Sequence, residues 1–457
     1  MAVLPDHAFR IDAPELRGAR AYLGARPACS ITDGFPRRFV ELVFNNRRVC
    51  GIIDLQLIWR ASRAKNPEML EPFLVHEQPV AGPATHAMII GVGDYPHLNG
   101  GTGPLTADHD GMGQLSSPPL SARAIASWLL TSFHHPQKPL STISLLLSEP
   151  GASAFDNPRT NVAHVVRRAT SASADQAITA WKARGDTDAR NLMLFYFCGH
   201  GISEGVYTAL LLSDYGADPQ KALDGALDFR RLWLGLNRCR ATEQCFFIDA
   251  CRTASGSLGD ADGFAGKVVI QPGRRNAGWE RPVRAPIFYA TFDGARAYGF
   301  PDKPSLYAQA LVKALAGWGA DDDDGTWRVT TNRVGEALEQ SVARKAREFD
   351  RLQLPTADGM TKIYLHHLSG EPTAPVYVTS QPPLAPILGA NLTYGATGGA
   401  LGPAPPSDPS AADWTIETSL GTYDFSATFP DGQRIGATGV SVRPPYKAVV
   451  IRAGATQ

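Results

Sequence analysis

The chain has 457 residues, 44% of them apolar and 19% charged, with Lys+Arg and Asp+Glu each totalling 44. That length accommodates more than one domain and a large core, and the even charge excludes a global pull toward nucleic acid or anionic membrane, so partners must be argued from sites. Six cysteines at positions 29, 50, 198, 239, 245 and 251 make no disulfide framework, the first residues carry no signal peptide, and no apolar run has membrane-spanning length, so a reduced, soluble, cytoplasmic protein is expected.

Residues 1 to 82 form the first expected unit. Phe39 to Ile53 reads as a hairpin with Asn45 and Asn46 at its turn, and Leu55 to Leu74 has helical periodicity interrupted by Pro67. The unit is either an inhibitory pro-segment or a strand and helix that extend the next domain's sheet, the second being favoured. Pro79 to Pro83 marks the boundary. His86 opens an isoleucine-rich strand followed by glycines from Gly91 to Gly113, but no Gly-Lys-Ser/Thr follows, and the spacing fits neither a P-loop nor a dinucleotide fingerprint.

A helix is predicted for Ser121 to Phe133, a strand for Thr142 to Leu147, and a helix for Thr160 to Ala183 capped by Thr160 or Asn161. Asn191 to Gly201 and Cys245 to Thr253 are short apolar runs of the kind buried on both faces of a sheet. Ala209 to Asp214 is a short strand and Phe229 to Cys239 a helix. Arg252 to Pro286 is a long exposed loop containing Lys267, Arg274, Arg275, Arg281 and Arg284. Ile287 to Thr291 is a further parallel strand, Ser305 to Gly317 and Val334 to Phe349 are helices, and Thr361 to Leu368 closes the sheet. From residue 371 to 457, Pro and Gly become frequent and alternating runs predict a small all-β module suited to docking.

The chemistry lies where two of these strands end. If they run parallel and adjacent, His200 and Cys251 face each other across one sheet edge. A thiol acts as a nucleophile only as thiolate, and an adjacent imidazole can take its proton and later deliver it to a leaving amine. Gly201 has no Cβ to block a substrate, so its N–H and that of Cys251 can hold an oxyanion.

His200-Gly201 closing one strand and Asp249-Ala-Cys251-Arg closing the next, about 50 residues on, resemble the dyad of the caspase and metacaspase cysteine peptidases. The resemblance implies, over residues 83 to 370, an α/β three-layer sandwich around a mostly parallel six-stranded sheet. His86 to Tyr95 resembles the family's opening strand, which ends in Gly-x-x-x-Tyr. The family implies a protein substrate and cleavage after Arg, with Lys second, because metacaspases carry Asp where this chain has Asp249. A carboxylate there can pair with a guanidinium at P1, the residue before the scissile bond. Asp214 is expected as a second acidic wall and Cys198 as a pocket lining, with Asp108 and Asp110 as further pocket carboxylates. Thr291 to Gly299, with Thr291, Phe292 and Asp293 named first, is expected to pair with substrate backbone as an added strand. Cleavage of the 252–286 loop by the enzyme itself, by an upstream protease, or activation by a regulator is implied as well. Ala, Gly, Pro and Arg usage suits a GC-rich bacterial genome, where similar proteins are linked to defence or regulated death.

The opposing reading is an inactive adaptor of the same fold, against which the intact His200, Cys251 and Asp249 argue. Asp321 to Asp324 resembles part of a calcium loop, and some metacaspases need calcium; the run lacks alternating ligands and a terminal Glu, so it reads as a solvated turn. His134-His135 and His366-His367 lack metal-site spacing, and no metal or other cofactor is expected.

Overall fold

A computed structural model describes residues 73–205, 207–254, 266–276, 282–381, 390–405, 413–430 and 432–452, with three strands before them. The helix expected from Leu55 falls almost wholly outside the described residues, as does Arg281. The chain divides into two compact units, 1–72 and 73–457. In the first, β1 (Arg20–Tyr22), β2 (Arg38–Phe44) and β3 (Arg47–Ile53) form an antiparallel sheet, and β2–β3 is the hairpin expected from the sequence, with Phe44 opposite Arg47.

The second unit is built on β4 (Leu74–Glu77), β5 (Thr85–Val92), β6 (Leu140–Ser148), β9 (Leu192–Gly199), β13 (Glu243–Ala250), β14 (Ile287–Tyr289) and β17 (Thr356–Asp358), with the short hairpin β7 (Ser153–Asn157) and β8 (Val162–Val166) between β6 and β9. Their spatial order is β17-β14-β13-β9-β5-β6-β4. The five inner strands run parallel, and the two edges are antiparallel. The sheet therefore has seven strands rather than six, because β4, ahead of the expected boundary, pairs along β6.

Apolar side chains on both faces of β5, β6, β9 and β13 require cover on both sides. Helices α1 (Ser117–Thr131), α4 (Leu306–Lys313) and α5 (Thr331–Arg347) pack on one face, and α2 (Ser171–Gly185) with α3 (Phe229–Gly235) on the other. These make the three layers. Pro118 and Pro119 sit in the first turn of α1, where a missing N–H breaks no helical bond.

Three sequence expectations are corrected. Residues 160–170 are not helical: Asn157 Oδ1 accepts from Arg159 N (2.9 Å) and Asn161 takes φ +55°, which makes the β7–β8 turn. Helix α2 starts instead at Thr170, whose hydroxyl accepts from Ser173 N at 3.2 Å. The run around Tyr364 does not close the central sheet. It forms β18 (Tyr364–His367), which joins β15 (Ala320–Asp322) and β16 (Trp327–Thr330) in a separate antiparallel sheet. The loop after Cys251 is partly anchored, with Ile270 buried in the core and Lys267 N donating to Ala226 O.

Beyond it lie two small sheets with their own core around Phe425, Trp414 and Val376. One is β22-β19-β25 and the other β21-β20-β23-β24, where β19 spans Thr373–Gln381, β20 Asn391–Ala396, β21 Gly402–Pro403, β22 Trp414–Ser419, β23 Gly421–Thr428, β24 Arg434–Val442 and β25 Lys447–Arg452. Only β19–β25 is parallel.

Candidate active site

Strands β9 and β13 are parallel and paired from Leu192↔Glu243 to Gly199↔Ala250. His200 and Cys251 are the next residues in that register. Counting back by twos from those positions, Cys198, Tyr196, Asp249 and Phe247 share one face, on the α1/α4/α5 side. The sheet edge thus sets the backbones of His200 and Cys251 at adjacent strand ends, about 4.8 Å apart by strand spacing.

The histidine is held by Gly113, which no sequence motif marks, and by Tyr95, the tyrosine of the Gly-x-x-x-Tyr strand end. Its Nε2 lies 2.7 Å from Gly113 O, and a carbonyl can only accept, so the neutral ring carries its proton on Nε2 and leaves Nδ1 with the free lone pair. His200 N donates to Tyr95 Oη at 2.8 Å, Tyr95 Oη donates to Leu211 O at 3.2 Å, and the two rings lie 4.9 Å apart. Gly199 leaves room for that tyrosine, since a Cβ there would stand 2.7 Å from its oxygen. Burial lowers the His200 pKa from 6.5, and the Gly113 bond opposes the shift.

The thiol rests on another backbone. Ala297 N donates to Cys251 Sγ at 3.4 Å, and Sγ is 3.7 Å from Ala297 O. Burial pushes the Cys251 pKa up from 9.0, with the Ala297 bond and the Arg296 charge opposing it. Both groups are therefore neutral at rest near pH 7.

Next to His200, strand β10 (Gly201–Glu204) pairs antiparallel with β11 (Tyr207–Leu211), which in turn pairs with β12 (Ala226–Asp228). Leu211 N donates to His200 O, so Gly201 N points away from β11, to the side where Ser203 N meets Thr253 O at 3.0 Å. That is the Cys251 side. A Cβ on Gly201 would stand 2.6 Å from Cys251 O and 2.9 Å from Ala250 Cβ. Gly201→Ala is therefore expected to lower stability by about 2 kcal/mol, read as a drop of several degrees in a thermal melt.

Asp249 is only 3% exposed. Tyr196 Oη donates to its Oδ2 at 2.7 Å, and Ser305 Oγ donates to the same oxygen. Burial raises its pKa, and the bonds from Ser305, Tyr196 and Cys198 oppose the shift. Ser305 Oγ also accepts from Ala308 N (2.9 Å) as the cap of α4, and Ser305 N donates to Ser121 Oγ at 2.9 Å. Asp249, Cys198, Tyr196, Ser121 and Ser305 thus form one buried polar cluster.

The other expected pocket residues have partners of their own. Asp214 does not join Asp249: its carboxylate accepts from Ser171 N (2.9 Å) and Ser171 Oγ (2.7 Å) at the start of α2. Asp108 sits in a short turn where Thr106 Oγ accepts its N–H, and its carbonyl accepts from Tyr215 Oη; Asp110 takes φ +44° beside it. Within the run from Thr291 to Gly299, the backbone facing the thiol is Ala297. Thr291 is buried, Phe292 is exposed, and Asp293 is paired with Arg252 and Ser203. Lys267 pairs with Asp175, Arg275 donates to Asn237 O and Arg240 O, and Arg284 pairs with Glu243, whereas Arg274 is exposed. The Asp321–Asp324 carboxylates engage Arg333, Gly325 N, Lys362 and Arg328 in turn.

The family model of the caspase domain, Peptidase C14, matches residues 84–362. The uncharacterized protein y4kE of Sinorhizobium fredii is 26% identical over 279 residues, which cover 55% of this chain and 76% of that protein. The crystal structure of caspase-1 from Spodoptera frugiperda aligns with a TM-score of 0.37 and 15% identity, over 62% of this chain and 93% of that one.

Proposed function

Because the chain belongs to the caspase-domain family through residues 84–362, we propose that it is a cysteine endopeptidase with Cys251 as nucleophile and His200 as general base and acid. The observation that carries the reading is the register: the two residues directly follow the paired ends Gly199 and Ala250 of neighbouring strands, with the imidazole proton assigned to Nε2 by Gly113 O. Nδ1 takes the thiol proton, and Sγ attacks the substrate carbonyl carbon. The oxygen of the tetrahedral intermediate gains its negative charge beside Gly201 N–H and Cys251 N–H. As the C–N bond breaks, Nδ1–H protonates the leaving amine, and a water molecule then hydrolyses the thioester with the same nitrogen as base. Substrate must first displace Sγ from the Ala297 backbone, whose N–H and C=O are then open to an extended peptide.

Asp249 supports an Arg preference at P1, with Lys second: it is the buried carboxylate on the nucleophile's own strand, two residues before it. Self-processing after a basic residue follows from that preference, and Arg274 is the described candidate that stands exposed. The four described cysteines are free, which suits action in a reducing compartment. No described helix is long and apolar enough to cross a membrane.

The test is a peptide library varied at P1, incubated with the purified full chain before and after limited proteolysis of the 252–286 loop. Cleavage after Arg is expected, and activity only after nicking would identify a zymogen. Preference for an acidic P1 would overturn the Asp249 assignment. Absence of turnover in both states and with candidate regulators would favour the adaptor reading.

A further inference from the structure

The segment after α5 exposes nearly everything it carries: Phe349 is 43%, Leu352 59% and Leu354 38% exposed. Gln353, in its midst, is 0% exposed. An amide is buried at such a place only if both its ends are satisfied, and these are. Tyr298 N donates to Gln353 Oε1 at 2.9 Å, and Gln353 Nε2 donates to Ala290 O at 3.1 Å.

Both partners belong to the loop that leaves β14 and holds the thiol. Ala290 is the fixed end, since its N–H donates to Ile248 O in β13, three residues before Cys251. Tyr298 is the far end, one residue after Ala297. Between them the loop touches the nucleophile's neighbour directly: Arg252 N donates to Ala295 O at 2.9 Å, and Gly294 N donates to Arg252 O at 2.7 Å. The loop therefore runs from the sheet, past Arg252 and Cys251, to a peptide tied back to the sheet by one carboxamide. Leu306 N supports that end from the other side by donating to Tyr298 O at 3.2 Å.

We infer that Gln353 is a positioning residue that sets the Ala297 backbone against Cys251, so that a side chain outside the catalytic strands controls access to the thiol. A carboxamide is suited to bridging these two groups, because it donates at one end and accepts at the other, and its planar amide fixes the distance between them. A carboxylate keeps the acceptor for Tyr298 N but turns a second acceptor on Ala290 O. Met keeps the length and loses both bonds. The catalytic meaning of the inference rests on Cys251 being the nucleophile; the contact itself does not.

The test is the rate at which iodoacetamide alkylates Cys251 in the full chain, mapped by peptide mass and followed against pH, for the parent, Gln353→Met and Gln353→Glu. The loss of the two bonds is expected to speed alkylation about tenfold in Gln353→Met, with less acceleration in Gln353→Glu. The midpoint of the pH profile should move down toward the ordinary thiol value, because the loosened loop exposes the sulfur. Parent-like rates and profiles in the variants that fold, even with a lowered melting temperature, would make Gln353 merely structural and overturn the inference; Gln353→Glu decides the matter where Gln353→Met does not fold. Alkylation needs no turnover, so a chain that cleaves nothing still tests the clamp. In a chain that does cleave, the same variants should raise KM more than they lower kcat, since the Ala297 peptide binds substrate backbone.

Discussion

Cys251→Ala is expected to keep the fold and to lose peptidase turnover by about 10⁶-fold, the scale on which removal of a nucleophile acts where base and nucleophile work as one unit. The thiol's bonds in the resting structure are two weak contacts with Ala297, so its removal should change stability by no more than about 1 kcal/mol. His200→Ala should cost similar activity but more stability, because it leaves Gly113 O without its 2.7 Å partner. Comparable loss in both variants, measured on the best library peptide alongside thermal melts, is the signature of a dyad. Retained hydrolysis in Cys251→Ala would place the nucleophile elsewhere. The pH dependence has a defined sign. The base must be unprotonated, and burial lowers its pKa from 6.5, so the acid limb of kcat/KM should lie below the ordinary histidine value. A limb above it would mean that a carboxylate, not burial, dominates the imidazole.

The strands that end at His200 and Cys251 were legible because each of these eight-residue strands is built around an apolar run, and parallel burial demands such runs. The two reactive residues were legible because they end those runs. Thr160 and Asn161 misled because the same short polar side chains cap helices and make turns, and only the hairpin pairing decides between the two. Asp214 misled for a related reason: proximity in sequence to the histidine strand does not say that Ser171 claims the carboxylate. Gly113 and Ala297 act through carbonyl and amide groups that every residue has, so no side-chain signal marks them. Gln353 is one amide in an exposed segment, and its role exists only once two loops have met.

Asp249→Asn is expected to lower kcat/KM for peptides with Arg at P1 by about 100-fold, the effect of removing roughly 3 kcal/mol of charge-assisted pairing, while the protein stays folded. The variant can keep the fold because an amide oxygen still accepts from Tyr196 and Ser305. Linkage points the same way. Burial raises the Asp249 pKa above 3.8, so ionising this carboxyl destabilises the folded state once pH exceeds the unfolded value, and a neutral Asn escapes that penalty at pH 7. Melting temperature at pH 7 should therefore hold or rise as specificity falls. The competing role is structural, in which Asp249 exists to orient Ser305 as the cap of α4. Ser305→Ala separates the two: loss of a cap costs about 1 kcal/mol of stability, whereas a pocket carboxylate released from Ser305 is freer to meet a guanidinium. If Asp249→Asn keeps its Arg preference and Ser305→Ala merely melts earlier, the carboxylate is a strut for the helix. If Asp249→Asn loses that preference without melting earlier, Asp249 reads the substrate, and its two hydroxyl partners hold it ready for an arginine.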